Sequence, residues 1–240
     1  LDHPHQGLAD ALTVRRRIGR QRSKVVVSWT PHVKPLPLAV PHAAVVAFAH
    51  EGHEVVVAHP EGFELDEGVM ADAVRIADDA GGSVRMSSDR EEALDGARVV
   101  YAKSWGSRGS YGKEAEGRAR IERHGDWMID ASAMAATDSA VFLHRLPVRR
   151  GVVVSDDVLV SDASVVIDQA AARLDVQKAG IYGLDFSPDG KLLLTATDQG
   201  RSHLIDLTDG SIRLSLPPEG PVGRPFNNAV FDGSGERIAI

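Results

Sequence analysis

Apolar and polar positions along this chain follow one pattern up to about residue 180 and another after it. In the first stretch, short β-branched runs alternate with longer segments whose apolar residues recur at helical spacing. Lys24-Val25-Val26-Val27-Ser28-Trp29 predicts a strand, and an apolar segment through about His50 predicts a helix after it. Glu54 to Ala58 repeats the strand and Asp66 to Ala80 the helix. Ser83 to Met86, Arg98 to Ala102 and Ala140 to Leu143 predict three further strands. Ahead of them, Leu8, Ala11, Leu12 and Ile18 share one helical face. Strands alternating with helices imply right-handed crossovers and a parallel sheet covered on both faces, so residues 1–179 are expected to form a doubly wound α/β domain.

From Gly180 the spacing changes. Apolar residues flank Pro188-Asp189-Gly190, the chemistry of a hairpin turn, and Thr208-Asp209-Gly210 offers a second. Phe186 and Gly190 recur as Phe231 and Gly235, 45 residues later. Residues 180–240 are therefore expected to form a small antiparallel all-β segment, and residues 181–240 resemble a WD-type β-propeller repeat. A lone blade leaves its faces uncovered, so the segment reads as part of a longer array, an added domain cut short, or a splice of unrelated coding segments.

Composition narrows the function. A formal charge of −7 argues against nucleic acid as a dominant partner, and Arg15-Arg16-Arg17 with Arg20 and Arg22 reads as a solvated basic face. Cysteine is absent, which removes disulfides and thiol catalysis and fits a cytoplasmic protein. No apolar run is long enough for a membrane span, and no signal-like segment opens the chain. Ten histidines raise the question of metal, but His50-Glu51-Gly52-His53 has the wrong spacing for a zinc helix. Gly106, Gly109 and Gly112 make no nucleotide-binding loop, so neither metal nor cofactor is called for.

The unusual residues cluster at strand ends. Trp29 to Pro37 follows the first strand, His59 to Phe63 the second, Lys103 to Gly106 the fourth and His144 to Pro147 the fifth. In an open parallel sheet, ligands bind outside the carboxyl ends of the strands, so these turns can converge on one cleft.

His144-Arg145-Leu146-Pro147-Val148-Arg149-Arg150 resembles the H-C-L-P signature of the ornithine and aspartate carbamoyltransferases, with the R-R ending of the N-acetylornithine branch. Arg145 stands where the family has cysteine. His3-Pro4-His5-Gln6 resembles its H-P-x-Q signature, and Arg173-Leu174 followed by Gln177-Lys178 resembles its closing-helix R-L-x-x-Q-K. The resemblance covers residues 1–179 and implies the Rossmann-like second, amino-acid-binding domain. The chain opens inside a motif, so the phosphate-binding first domain is expected to be missing.

The resemblance implies carbamoyl transfer from carbamoyl phosphate to N-acetyl-L-ornithine, a step of arginine biosynthesis. His3 and Arg173 would donate to the carbamoyl oxygen and Gln6 would hold the carbamoyl amide. Backbone carbonyls around Arg145 and Leu146, in the turn that His144 opens and Pro147 closes, would accept from the carbamoyl and attacking amines. Lys103, in the block Tyr101-Ala102-Lys103-Ser104-Trp105-Gly106, would pair with the acceptor's α-carboxylate. The family's S-x-R-T-R phosphate loop does not occur in this sequence. Family sites are also shared across a homotrimer, so the chain alone is expected to be catalytically silent. Ornithine and N-succinylornithine remain alternative acceptors. A non-catalytic scaffold using the propeller segment is a reading of a different class.

Overall fold

The structure, a computed structural model, describes residues 3–176, 181–197, 202–208, 211–216 and 229–239, without the side chains of 174, 175, 181–183 and 197. Gln177-Lys178, the boundary at 179/180 and Asp209-Gly210 lie outside the described residues. The chain divides into two units, Leu1–Asp175 and Val176–Ile240.

In the first unit, helix α1 (Pro4–Ile18) precedes β1 (Lys24–Trp29), α2 (Ala39–His50), β2 (Glu54–Ala58), α3 (Glu67–Ala80), β3 (Ser83–Ser87), α4 (Arg90–Leu94) and β4 (Val99–Lys103). Then follow α5 (Glu114–Ile121), α6 (Ala131–Ala135), β5 (Val141–Leu143), α7 (Asp156–Leu159) and α8 (Val166–Val176), with 3-10 turns at Arg108–Ser110 and Glu122–Trp127. All five predicted strands form, in one parallel sheet of order β3-β2-β1-β4-β5. The order reverses direction between β1 and β4, which makes the crevice beyond their carboxyl ends the topological switch point.

Burial explains the uninterrupted valine runs. Val25, Val26 and Val27 of β1 and Val55, Val56 and Val57 of β2 are fully buried, because helices cover both faces of a parallel sheet. On β1 and β2 the charged residues stand at the strand starts, Lys24 and Glu54. Asp66 caps α3 by accepting from the Gly68 and Val69 amides at 3.0 and 3.3 Å, and Gly81 ends that helix in the left-handed region at φ +73°. The basic run after α1 is more than a solvated face. Arg22 donates to the Ala80 and Gly81 carbonyls at 2.8 and 2.6 Å, placing a cation on the negative end of α3, and Arg17 pairs with Asp168. Helix α1 lies tightly on α2: a Cβ on Gly7 would stand 2.7 Å from the Ala43 carbonyl oxygen.

Among its described residues the second unit beyond Val176 is all-β. Strands β6 (Ile181–Phe186), β7 (Leu192–Thr197), β8 (Ser202–Asp206) and β9 (Ile212–Leu216) pair in sequence order as an antiparallel sheet. A short pair, β10 (Val230–Phe231) with β11 (Ile238–Ala239), follows. The Pro188-Asp189-Gly190 turn joins β6 to β7, with Gly190 at φ +68° and Asp189 accepting from the Ser187 hydroxyl at 2.6 Å. The core here is small: Leu194, Ala196 and Ala229 are buried, with Leu204, Phe231 and Ile238 packed against them.

Candidate functional site

Three strand ends meet at the switch point. The register sets Trp29 of β1 beside Lys103 of β4, and Tyr101 of β4 beside Leu143 of β5. The residues that follow these positions leave the sheet together. Ser104 donates its hydroxyl to the Pro31 carbonyl at 3.0 Å, so the Thr30 hydroxyl, 3.1 Å away, donates to Ser104. The first and fifth strand ends are joined by Arg149, which donates from Nε to His32 Nε2 at 3.1 Å. That bond leaves the His32 proton on Nδ1, 3.0 Å from the Lys34 carbonyl. Beneath them, Trp29 Nε1 donates to the Trp105 carbonyl at 2.8 Å and Trp105 Nε1 to the Phe63 carbonyl at 2.7 Å. The turn after β2 thus contributes a floor. Its His59 is held by the Pro60 carbonyl, with Nδ1 2.9 Å from that oxygen.

The side chains at this edge are buried and mostly cationic. Lys103 is 7% exposed, and its Nζ reaches one backbone acceptor, the Ser104 carbonyl at 3.2 Å. Burial, and then the neighbouring charge of Arg145, lower its pKa to about 8. His144 is buried with Nδ1 2.7 Å from the Ala102 carbonyl, and an oxygen that can only accept fixes the proton on that nitrogen. Burial and the charge of Lys103 bring its pKa down to about 4, against the opposing pull of the Ala102 and Pro147 carbonyls, so the imidazole is neutral at physiological pH. Arg145 is half-buried, and its Nε is shielded from solvent without a hydrogen-bond partner; the same holds for Arg173 Nε on α8. His3, at the N-cap of α1, is held below its usual pKa by burial first and then by Arg145 and Arg173. Leu146 packs against the core and Pro147 is exposed, the bond between them being cis.

Gln6 belongs to a buried network that the sequence reading did not identify. Asp10, fully buried, accepts at Oδ1 from Gln6 Nε2 at 2.7 Å and from Gln169 Nε2 at 2.6 Å. Gln169 Oε1 in turn accepts from the His144 backbone N–H at 3.0 Å. One carboxyl therefore ties α1, α8 and the end of β5 together. Because Asp10 takes the Gln6 amide nitrogen, the Gln6 carbonyl oxygen is left buried without a partner among the described residues. Burial raises the Asp10 pKa to about 7 despite the opposing bonds from both glutamines, and the Tyr101 hydroxyl lies close enough to feel that charge while outside hydrogen-bond geometry. The spacing carries the missed signal: Asp10 lies four residues after Gln6, and Gln169 four before Arg173, so each pair shares a helix face.

All eight sequence-predicted site residues thus fall on the elements around this edge, His3, Gln6 and Arg173 from the helices and Lys103 and His144 to Pro147 from the strand ends. A cavity of about 450 Å³ opens beside it, between the loops after β1 and β4, lined in part by Lys34, Leu36, Ser107 and Tyr111; no residue of the cationic group lines it.

Chains similar to this one are carbamoyltransferases. Residues 39–184 match the family described as aspartate/ornithine carbamoyltransferase, Asp/Orn binding domain. The chain belongs to the aspartate/ornithine carbamoyltransferase family. It is 37% identical to the N-succinylornithine carbamoyltransferase of Bacteroides fragilis over 71% of this chain and 49% of that protein. The N-acetylornithine carbamoyltransferase of Xanthomonas campestris is 37% identical over 75% of this chain and 54% of its own. A crystal structure of acetylornithine transcarbamylase complexed with acetylcitrulline superposes with a TM-score of 0.72 at 37% identity, over 74% of this chain and 54% of that one. The chain spans about half the length of the relatives it matches. Among the described residues, no helix is long and apolar enough to cross a membrane.

Proposed function

We propose that residues 1–179 are the amino-acid-binding half of an N-acetylornithine carbamoyltransferase, moving the carbamoyl group of carbamoyl phosphate to the δ-amine of N-acetyl-L-ornithine. The observation that carries this reading is Lys103: a buried ammonium with no carboxylate partner among the described residues, set at the switch point of the sheet. An unpaired buried cation is destabilising on its own and is offset when an anionic ligand group meets it, which is the task of a residue that binds an α-carboxylate.

The remaining groups fit the chemistry. The attacking amine adds to the carbamoyl carbon, negative charge gathers on the carbonyl oxygen, and the C–O bond to phosphate then breaks as the amine gives up a proton. In this reading Arg173 and His3 donate to that oxygen. The orphaned Gln6 carbonyl oxygen, turned away from Asp10, suits an N–H of the carbamoyl amide. In the His144-to-Pro147 turn the backbone carbonyls serve as acceptors, a role that arginine at 145 leaves intact. The leaving phosphate is met mainly by a phosphate-binding half of the kind the relatives' unmatched length provides. We take the working form to be a cytoplasmic homotrimer, and residues 180–240 to be an appended WD-type segment outside the reaction.

The assay is carbamoyl transfer to N-acetylornithine, ornithine and N-succinylornithine, run with the chain alone and with the chain joined to the unmatched half of the Xanthomonas campestris relative. The expected result is turnover of N-acetylornithine by the joined protein only. Preference for another acceptor overturns the substrate, and comparable turnover by the chain alone overturns the half-site account.

A further inference from the structure

Arginines of the first unit mostly meet a carboxylate: Arg85 with Glu92, Arg98 with Asp138, Arg108 with Asp66, Arg118 with Glu114, Arg120 with Glu116 and Arg150 with Asp156. Arg145 and Arg173 do not. Among the described residues neither forms an ion pair, and each holds a shielded Nε–H with no acceptor. Their electrostatic neighbours are largely cationic or neutral, since Arg145 acts on Lys103 and both arginines act on His3. Arg173 does feel one carboxyl, Asp10, but burial raises the pKa of that group to about 7 against the opposing bonds from its two glutamine donors, so it is only partly ionised at neutral pH. Two guanidiniums and an ammonium therefore stand together at one sheet edge with one partly ionised carboxyl, Asp10, as compensation among the described residues. Such a group is assembled at a cost that a polyanion offsets, and planar guanidiniums suit the paired oxygens of a phosphoryl group.

We propose that Arg145, through its side chain, makes this cleft an oxyanion site in its own right, binding phosphate-type dianions together with Arg173 and without the separate phosphate loop. The inference rests on the functional reading above and deepens it. A cysteine at this position would leave Arg173 and Lys103 as the local cations; arginine adds a third, reaching from the end of β5 toward the groups that meet the carbamoyl phosphate.

The test titrates inorganic phosphate, and separately N-acetyl-L-ornithine, into the full chain by calorimetry, comparing wild type with Arg145→Cys and Arg145→Gln. The tryptophan-fluorescence melting midpoint serves as the fold control, and the glutamine variant stands in should the cysteine variant fail to fold. Phosphate affinity is expected to drop about ten- to a hundredfold in either variant, as for loss of a charge-assisted hydrogen bond, and to drop further than N-acetylornithine affinity does. Equal phosphate affinity in wild type and variant, or no phosphate binding by wild type at millimolar concentration, overturns the proposal. Loss of N-acetylornithine binding in place of phosphate also overturns it, by assigning Arg145 to the acceptor. Wild-type N-acetylornithine binding in each of these cases leaves the carbamoyltransferase reading standing.

Discussion

Val25, Val26 and Val27 of β1 are shielded on both faces of the parallel sheet, whereas Ile212, Arg213, Leu214 and Ser215 of β9 are all exposed at the edge of the antiparallel one. A strand covered on both sides has no place for charge along its length, so its polar residues collect where it leaves the sheet. That is how Lys103, His144 and Arg145 come to share one small, poorly solvated region. In the antiparallel unit, polar and apolar positions are spread along strands open to solvent, and charges such as Asp206 and Arg213 neutralise each other at 2.5 Å. One sheet concentrates uncompensated charge and the other disperses it.

All three tryptophans, Trp29, Trp105 and Trp127, lie in the first unit, so their fluorescence follows that unit alone. The largest effect is expected from Phe142→Ala, which empties a fully buried ring position on β5 and should lower the fluorescence-monitored unfolding free energy by about 3–5 kcal/mol in a denaturant titration. A loss under 1 kcal/mol would break the contrast drawn here.

Second comes Asp10. Its carboxyl titrates near 7 in the folded chain against an ordinary value of 3.8, so the unfolded chain releases the proton first as pH rises. The contribution is fully present below pH 4, is lost between about pH 4 and 7, and on the order of a few kcal/mol is at stake. Asp10→Asn should flatten that part of the stability-against-pH curve; an unchanged slope would show that Asp10 is not its source.

Smaller again is Asp66→Ala, which removes the cap of α3 and should cost about 1 kcal/mol in the same titration. The smallest effect belongs to the second unit: Phe186, 60% exposed on β6, should change the fluorescence-monitored stability by less than about 0.5 kcal/mol when replaced by alanine. A shift comparable to that of Phe142→Ala would mean that the two units unfold as one.

The strands of both units and the edge where the site sits were readable because parallel-sheet burial writes itself as unbroken valine runs, and because turns such as Pro188-Asp189-Gly190 have few alternatives. His3, Lys103 and His144 were readable as members of motifs. Asp10 and Gln169 were not: their four-residue spacing from Gln6 and Arg173 puts each on the helix face of a motif residue, but their importance lies in meeting each other 159 positions apart. The basic run was misjudged in part for the same reason: Arg22 answers the carbonyls of Ala80 and Gly81, partners that only the fold brings near. His59 shows the converse, a histidine at a strand end whose ring is engaged by Pro60 beside it.

The most direct test of the central claim is calorimetric titration of N-acetyl-L-ornithine into wild type and Lys103→Met at pH 7 and pH 9. Lys103 is charged at the lower pH and largely neutral at the higher, because its pKa lies at about 8. The account predicts wild-type binding that weakens as pH rises through that value, and affinity about ten- to a hundredfold lower with no such pH dependence in the variant. Equal affinity in the two proteins at pH 7, or a wild-type affinity that does not change between pH 7 and 9, would contradict it.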